Sequence, residues 1–145
     1  NYRLTDVAAS IGIEQLKKID GIIARKNEIA ARFDALFEAH SRITTPYVPE
    51  YCTQHSWYNY CIKLPTNAER DAVIDHLRSQ GVDTRVSFPP IHLQPIYREL
   101  YGYEPGMLPV TEDLAACFVD IPCHAGMSED DIDYVANCVG DALDG

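Results

Sequence analysis

Asn1-Tyr2-Arg3-Leu4-Thr5-Asp6-Val7-Ala8-Ala9-Ser10-Ile11-Gly12 opens the chain and decides how the remaining sequence is interpreted. Its first residues are polar or aromatic and are typical of a loop. Thr5 can then cap a helix whose positively polarised first turn holds Asp6. The stretch has no initiator methionine and enters a helix with no leader before it. We therefore expect the chain to be the C-terminal part of a longer protein.

The helical pattern continues well beyond this stretch. Apolar residues recur at three- and four-residue spacing to about residue 39. Gly21 lies inside the pattern and predicts a break or kink, so that two helices form instead of one. The charged residues Arg25, Lys26, Glu28 and Arg32 fall on the opposite face, where we expect them to be solvated.

The middle of the chain predicts two strands around a third helix. Residues 40–55 contain two prolines and indicate a loop with a short edge strand at most. Side chains alternate along Trp57–Leu64 as they do in a strand, and one face would hold Tyr58, Tyr60, Ile62 and Leu64. Thr66 and Glu69 are spaced as a capping box, and Gly81 is a C-terminal cap. Asp83–Phe88 is the second predicted strand.

The remaining third predicts short elements and a final long helix. Residues 92–101 indicate a short helix or turn that Pro95 interrupts, followed by a helix over Thr111–Cys117 and a strand over Phe118–Ile121. Ser128 is the expected cap of the last helix. Three or four strands among these helices predict an α+β fold, a small sheet covered by helices, and we interpret residues 1–145 as a single domain.

Charge limits the classes of partner that this chain can have. It carries 12 basic and 22 acidic residues, a formal net charge of -10. Nucleic acid is a poor partner for such a surface, because its binding requires basic side chains that displace counterions. An anionic membrane surface is disfavoured for the same reason, and no apolar run approaches the roughly 18 residues that span a bilayer.

The cysteines indicate neither a metal site nor a disulfide framework. There are five, an odd number, and no two have the Cys-x-x-Cys spacing of a zinc site. Cys123-His124 is the nearest approach to a metal-binding pair. We expect no metal, and we interpret the cysteines as small buried apolar residues of a cytoplasmic protein.

Several motifs, taken in order, resemble one known family. They are the opening stretch, Arg85–Pro95 (RVSFPPIHLQP), Leu108–Leu114 (LPVTEDL), Ile121-Pro122 and Met127–Val135 (MSEDDIDYV). Together they resemble the C-terminal domain of the DegT/StrS-type sugar aminotransferases. The resemblance implies a homodimeric, pyridoxal phosphate (PLP)-dependent enzyme of the aspartate aminotransferase fold, acting on a nucleotide sugar.

Three site residues follow from the resemblance. In the family, the residue matching Asn1 reaches the PLP phosphate of the partner subunit, and the residue matching Arg3 lies on the substrate side of that site. His92 matches a segment that lines the sugar-nucleotide pocket. Taken by itself, each residue has another interpretation: a turn residue before a helix, a surface ion pair and an ordinary loop histidine. The family commonly has His-Tyr at Ser87-Phe88, so the substrate preference stays open.

No catalytic centre is visible in the sequence. A PLP enzyme requires a lysine that forms the Schiff base, and Lys17, Lys18, Lys26 and Lys63 occur in none of the expected contexts. We therefore expect no catalytic residue in this chain and no activity of the chain by itself. One hypothesis is the C-terminal domain of a nucleotide-sugar aminotransferase that moves an amino group from glutamate or glutamine to a keto sugar. The other is a free-standing, non-catalytic binding or regulatory module.

Overall fold

The computed structural model describes residues 3–144 and shows an α+β arrangement, as the sequence predicts. No helix within these residues has the length and apolar character needed to cross a membrane. A 3₁₀ turn at Ile91–Leu93 precedes the fourth helix. In chain order the elements are α1 Asp6–Leu16, α2 Ile19–Phe37, β1 Tyr60–Lys63, α3 Asn67–Ser79, β2 Arg85–Val86, α4 Pro95–Tyr101, α5 Pro109–Cys117, β3 Phe118–Ile121 and α6 Glu129–Asp144.

The three strands form one antiparallel sheet in the order β1-β3-β2. Its register aligns Cys61, Asp120 and Arg85 as direct partners across the three strands. Because side chains alternate along a strand, the neighbours of these residues point to the opposite, core-facing side. There the sheet packs with α2, α3 and α6 around fully buried side chains: Ile29, Phe33, Phe37, Tyr60, Ile62, Val73, Leu77, Val119, Ile132 and Val139.

The predicted helix ends are confirmed wherever a polar cap was expected. The Thr5 hydroxyl accepts a hydrogen bond from Ala8 N at 3.2 Å, and the Thr66 hydroxyl accepts one from Glu69 N at 3.2 Å. Ser128 likewise accepts from Asp131 N at 3.1 Å. Gly81 follows α3 with a φ of +76°, a conformation that favours glycine. Local chemistry therefore determines these boundaries.

Two helices form here, as predicted, but the predicted position of the break at Gly21 is wrong. The first helix ends at Lys17–Lys18, where Lys18 N bonds to Gln15 O at 3.0 Å in a tightened turn, and Gly21 lies inside α2. A glycine costs a helix about 1 kcal/mol relative to alanine, which burial of one helix face can offset. In α2 that face contributes Ile29, Ala30, Phe33 and Phe37.

The sequence predicted that the charged residues of α2 are solvated, but two of its arginines contact the start of α6. Arg25 Nη2 donates to Met127 O at 2.8 Å and to Glu129 at 3.0 Å. Arg32 forms a two-pronged ion pair with Asp133, with the closest contact at 2.7 Å. These contacts join α2 to the start of α6, a pairing that periodicity within one helix does not reveal.

Both early strands are shorter than predicted. Trp57 has a φ of +50°, outside the extended region, and its indole N–H donates to Asn27 Oδ1 at 2.9 Å. Strand β1 therefore begins only at Tyr60, and Tyr58 is 74% exposed. The second strand contains two residues where six were expected.

Pro95 begins α4 instead of interrupting a helix. Proline suits the first helical position, since the missing N–H would have no partner there within the helix. The 3₁₀ turn and α4 are therefore separate elements on either side of Gln94.

Candidate functional site

The structure places the three residues that the resemblance singled out in different settings. Asn1 lies outside the described residues. Arg3 is exposed and precedes the cap of α1. His92 lies in the 3₁₀ turn and is 6% exposed. Their roles at a site stay predictions, but the surroundings of His92 give a local geometry that can be described.

His92 is held between a carboxylate and an aromatic ring. Its Nε2 lies 3.0 Å from Glu112 Oε1, and its ring meets that of Tyr103 edge to face, with centroids 6.2 Å apart. His92 lies in a tight turn, its ring is largely buried, and one of its nitrogens already has a partner.

Glu112 connects three parts of the chain. It lies in the first turn of α5, and its two oxygens accept from Gly106 N at 2.9 and 2.8 Å. Leu108 N adds a contact of 3.2 Å. The Gly106 N–H, and next the His92 ring, hold the pKa of this carboxyl below its usual value of 4.5. The carboxylate is therefore ionised at neutral pH and can only accept hydrogen bonds.

A cavity of about 400 Å³ lies beside this pair. Tyr97 and Tyr101 stack at a centroid distance of 6.3 Å, and Tyr101 lies 5.8 Å from Tyr103. The rings, together with His92, form a largely aromatic wall on one continuous segment of the chain. We call this space the tyrosine cavity; its lining residues are Ile91, His92, Tyr97, Tyr101, Tyr103, Leu108 and Thr111.

A second, larger cavity of about 650 Å³ lies at one end of the sheet. On its wall, Asp120 Oδ2 accepts from Asn59 Nδ2 at 2.9 Å and pairs with Arg85 Nε at 3.2 Å. Arg85 also donates to Asn59 Oδ1 at 3.0 Å, which closes a triangle of three side chains. The Arg85 guanidinium lies 6.0 Å above the Phe88 ring, at the position where the chain departs from the family pattern.

The cysteine beside this triangle is not an activated nucleophile. Burial, and next the hydrogen bond to Asp120, raise the pKa of the Cys61 thiol to about 12. Burial likewise raises the pKa of Cys123. Nucleophilic thiols have lowered pKa values, so both groups are inert at neutral pH.

The described residues do not by themselves fit PLP. That cofactor requires a lysine beside its aldehyde carbon and donors around its phosphate. Lys17 pairs with Glu14 at 2.5 Å and Lys63 with Asp113 at 3.0 Å. No lysine of residues 3–144 lines either cavity described above. No catalytic step through the cofactor is therefore assigned to these residues.

Sequence reasoning missed both polar clusters. Glu112 carries a partial signal, because an acidic residue in the first turn of a helix beginning at Pro109 is a favourable cap. Its partner His92 lies 20 residues earlier, beyond any local pattern. Asp120 lies in a buried strand, and only the strand register reveals its partners Asn59 and Arg85.

Comparison with known proteins gives a consistent result. A model of the DegT/DnrJ/EryC1/StrS aminotransferase family matches residues 1–140. An uncharacterized protein of Methanocaldococcus jannaschii, MJ1066, is 34% identical over 141 residues, which are 95% of this chain and 36% of that protein. GDP-perosamine synthase of Caulobacter vibrioides is 32% identical in an alignment 152 residues long, which covers 99% of this chain and 38% of the relative.

A solved structure shows the same fold. The aminotransferase TlmJ of Streptoalloteichus hindustanus superimposes with a TM-score of 0.86 at 31% identity, covering 96% of this chain and 36% of its own. The chain thus spans a little more than a third of the length of each relative that it matches.

Proposed function

The chain belongs to the DegT/DnrJ/EryC1/StrS aminotransferase family, and we propose that it is the C-terminal domain of a PLP-dependent nucleotide-sugar aminotransferase. The observation that carries the proposal is the match of the family model to residues 1–140. In the proposed reaction an amino group passes from glutamate or glutamine to a keto carbon of the sugar. A relative of this chain is named GDP-perosamine synthase, which supports a nucleotide sugar as the substrate class.

The contribution of this chain to that enzyme is to complete a site, not to perform the chemistry. Aminotransferases of the family are PLP-dependent, and no lysine among the described residues lines a cavity described above. The Schiff-base lysine would belong to a preceding domain. Asn1 would donate to the PLP phosphate of the partner subunit, while Arg3 and His92 would line the substrate side.

The exposure of α1 supports a role in assembly. No residue of this helix is buried, and its apolar side chains Val7, Ile11 and Leu16 are 73%, 59% and 70% exposed. A large uncovered apolar surface of this kind marks an interface. In the proposed enzyme it would pack against the preceding domain and the second subunit of a homodimer.

The experiment that tests the function compares two proteins. The longer protein that contains this chain is assayed for PLP binding and for amino transfer from glutamate or glutamine to a set of keto nucleotide sugars. The 145-residue chain, assayed alongside, is the matched control. Transfer by the longer protein alone is the expected result. If neither protein transfers an amino group nor binds PLP, the non-catalytic binding module becomes the better hypothesis.

A further inference from the structure

We propose that Glu112 is a positioning residue for His92: its carboxylate fixes the ring proton on Nε2 and leaves Nδ1 as a hydrogen-bond acceptor at the tyrosine cavity. The role rests on the proposed function, because it requires the substrate to reach His92. Glu112 itself does not touch the substrate in this arrangement and acts through the histidine.

The first step of the argument concerns the proton. An ionised carboxylate accepts hydrogen bonds and donates none, while a neutral imidazole carries one proton on one of its two nitrogens. Glu112 Oε1 lies 3.0 Å from His92 Nε2, so this nitrogen is the donor. In the neutral ring the lone pair then belongs to Nδ1.

The second step concerns the orientation of the carboxylate. Gly106 N donates to both oxygens of Glu112, and Leu108 N donates to Oε1. These backbone donors belong to the turn that precedes α5, so Glu112 cannot rotate away from His92 without losing them. Tyr103 packs edge to face with the His92 ring, which limits rotation of the imidazole.

The third step concerns Nδ1. It has no hydrogen-bond partner among residues 3–144. Within that part of the chain, Asp120 Oδ1 is the fully buried side-chain polar atom that lacks a partner, so Nδ1 keeps some accessible surface. His92 lines the tyrosine cavity. An acceptor among aromatic rings suits a ligand that offers a hydroxyl or N–H donor beside an apolar ring face, as a pyranose sugar does.

The tautomer of His92 in the 145-residue chain is the direct test. Long-range ¹H–¹⁵N correlation spectra show which nitrogen of the neutral imidazole carries the proton, and they are recorded at alkaline pH. We expect His92 as the Nε2–H tautomer. The Nδ1–H tautomer in the unaltered chain would overturn the proposal without the need for any variant.

Two variants of Glu112 and one control variant then separate positioning from folding. In Glu112→Ala the preference for the Nε2–H tautomer should fall by about tenfold or more, and Gly106 and Leu108 N–H should exchange faster by a similar factor. Glu112→Gln keeps one acceptor oxygen and should restore part of the preference. Glu99→Ala removes an exposed carboxylate of α4 and should change neither quantity. An unchanged tautomer in a folded Glu112→Ala chain contradicts the proposal.

A third measurement uses the longer enzyme. Glu112→Gln should raise the KM for the sugar substrate by about tenfold and leave kcat within about twofold, because the acceptor loses its orientation and the reacting groups do not change. If the unaltered enzyme transfers no amino group, the proposed function fails. If it is active and the KM of Glu112→Gln equals that of the wild type, the positioning role fails.

Discussion

Arg85 and Asp120 form an ion pair between neighbouring strands, with Arg85 Nε 3.2 Å from Asp120 Oδ2. They are direct partners in the register of β2 and β3, and Asn59 completes the contact from the segment that leads into β1. The side chain of Asp120 is 6% exposed, whereas that of Arg85 is 57% exposed. The Asp120 side chain therefore ties the edge strand to the centre of the sheet.

We expect Asp120→Ala to lower the free energy of unfolding by about 1–2 kcal/mol, since two hydrogen bonds to a charged group are lost. The loss stays moderate because Arg85 and Asn59 can reach water once the carboxylate is gone. Urea denaturation measures the change. Asp83→Ala, an exposed neighbour, should stay within about 0.5 kcal/mol of the wild type. Equal stability of the two variants would show that the cluster contributes nothing.

A second prediction concerns the cofactor. The 145-residue chain mixed with PLP should show no absorbance band of lysine-bound PLP and no transaminase activity, because none of its described lysines lines either cavity. Absorbance spectra and borohydride reduction followed by peptide mass spectrometry provide the check. A single lysine of this chain labelled at high yield would contradict the prediction.

A third prediction concerns self-association through α1. The exposed apolar side chains of this helix should drive the isolated chain to associate at high concentration. Replacing Ile11 with glutamate should shift the sedimentation profile toward the monomer. Gln15→Glu adds the same charge to the same helix without removing apolar surface, so it should have little effect. A strict monomer in all three proteins, with no binding of an apolar dye, would rule out the interface.

A fourth prediction concerns Asn1, which lies outside the described residues. In the longer enzyme, Asn1→Ala should weaken PLP affinity about ten- to a hundred-fold, the effect of losing one hydrogen bond to a charged group. Stability should change little, because Asn1 precedes the helix cap at Thr5. Dialysis against PLP-free buffer followed by absorbance gives the affinity.

The same variant tests whether the contact crosses between subunits. Mixing it with a variant that lacks the PLP lysine should restore some activity, since one of the two hybrid sites then combines an intact lysine with an intact Asn1. If the Asn1→Ala homodimer keeps its PLP affinity, Asn1 is only a turn residue and the shared-site hypothesis loses its main support.

A fifth prediction follows from the capping box of α3. The Thr66 hydroxyl, and next the Arg42 guanidinium, hold the pKa of Glu69 below its usual value of 4.5. A carboxyl with a lowered pKa in the folded state stabilises the protein above its unfolded pKa, and this contribution disappears as the pH falls through the folded pKa. Glu69→Gln should therefore be less stable than the wild type at neutral pH.

The difference in stability between these two proteins should shrink as the pH is lowered through and below the usual glutamate pKa of 4.5. Thermal denaturation at several pH values measures it. Glu38→Gln, at the exposed end of α2, serves as a control of equal charge change and should not show this pH dependence. A stability difference that does not change with pH would show that Thr66 and Arg42 do not interact preferentially with the ionised form of Glu69.

The sequence determined those features that depend on a few neighbouring residues. Thr5, Thr66, Ser128 and Gly81 each set a helix boundary through a contact or a backbone angle within four residues. The apolar spacing up to about residue 39 likewise predicted the buried face of α2, because helical periodicity alone determines which side chains share a face. The ordered motifs also pointed to the family that the comparisons then confirmed over residues 1–140.

Only the tertiary structure decided which distant residues meet. Trp57 does not join the predicted strand because its indole bonds to Asn27, 30 residues earlier, and the exposed Arg32 pairs with Asp133, 101 residues later. The sequence pointed to His92 but not to its partner Glu112. The position of Glu112 depends on hydrogen bonds from the backbone N–H groups of Gly106 and Leu108, which no sequence pattern reveals. Such contacts depend on chain closure over long separations, and local propensity carries no information about them.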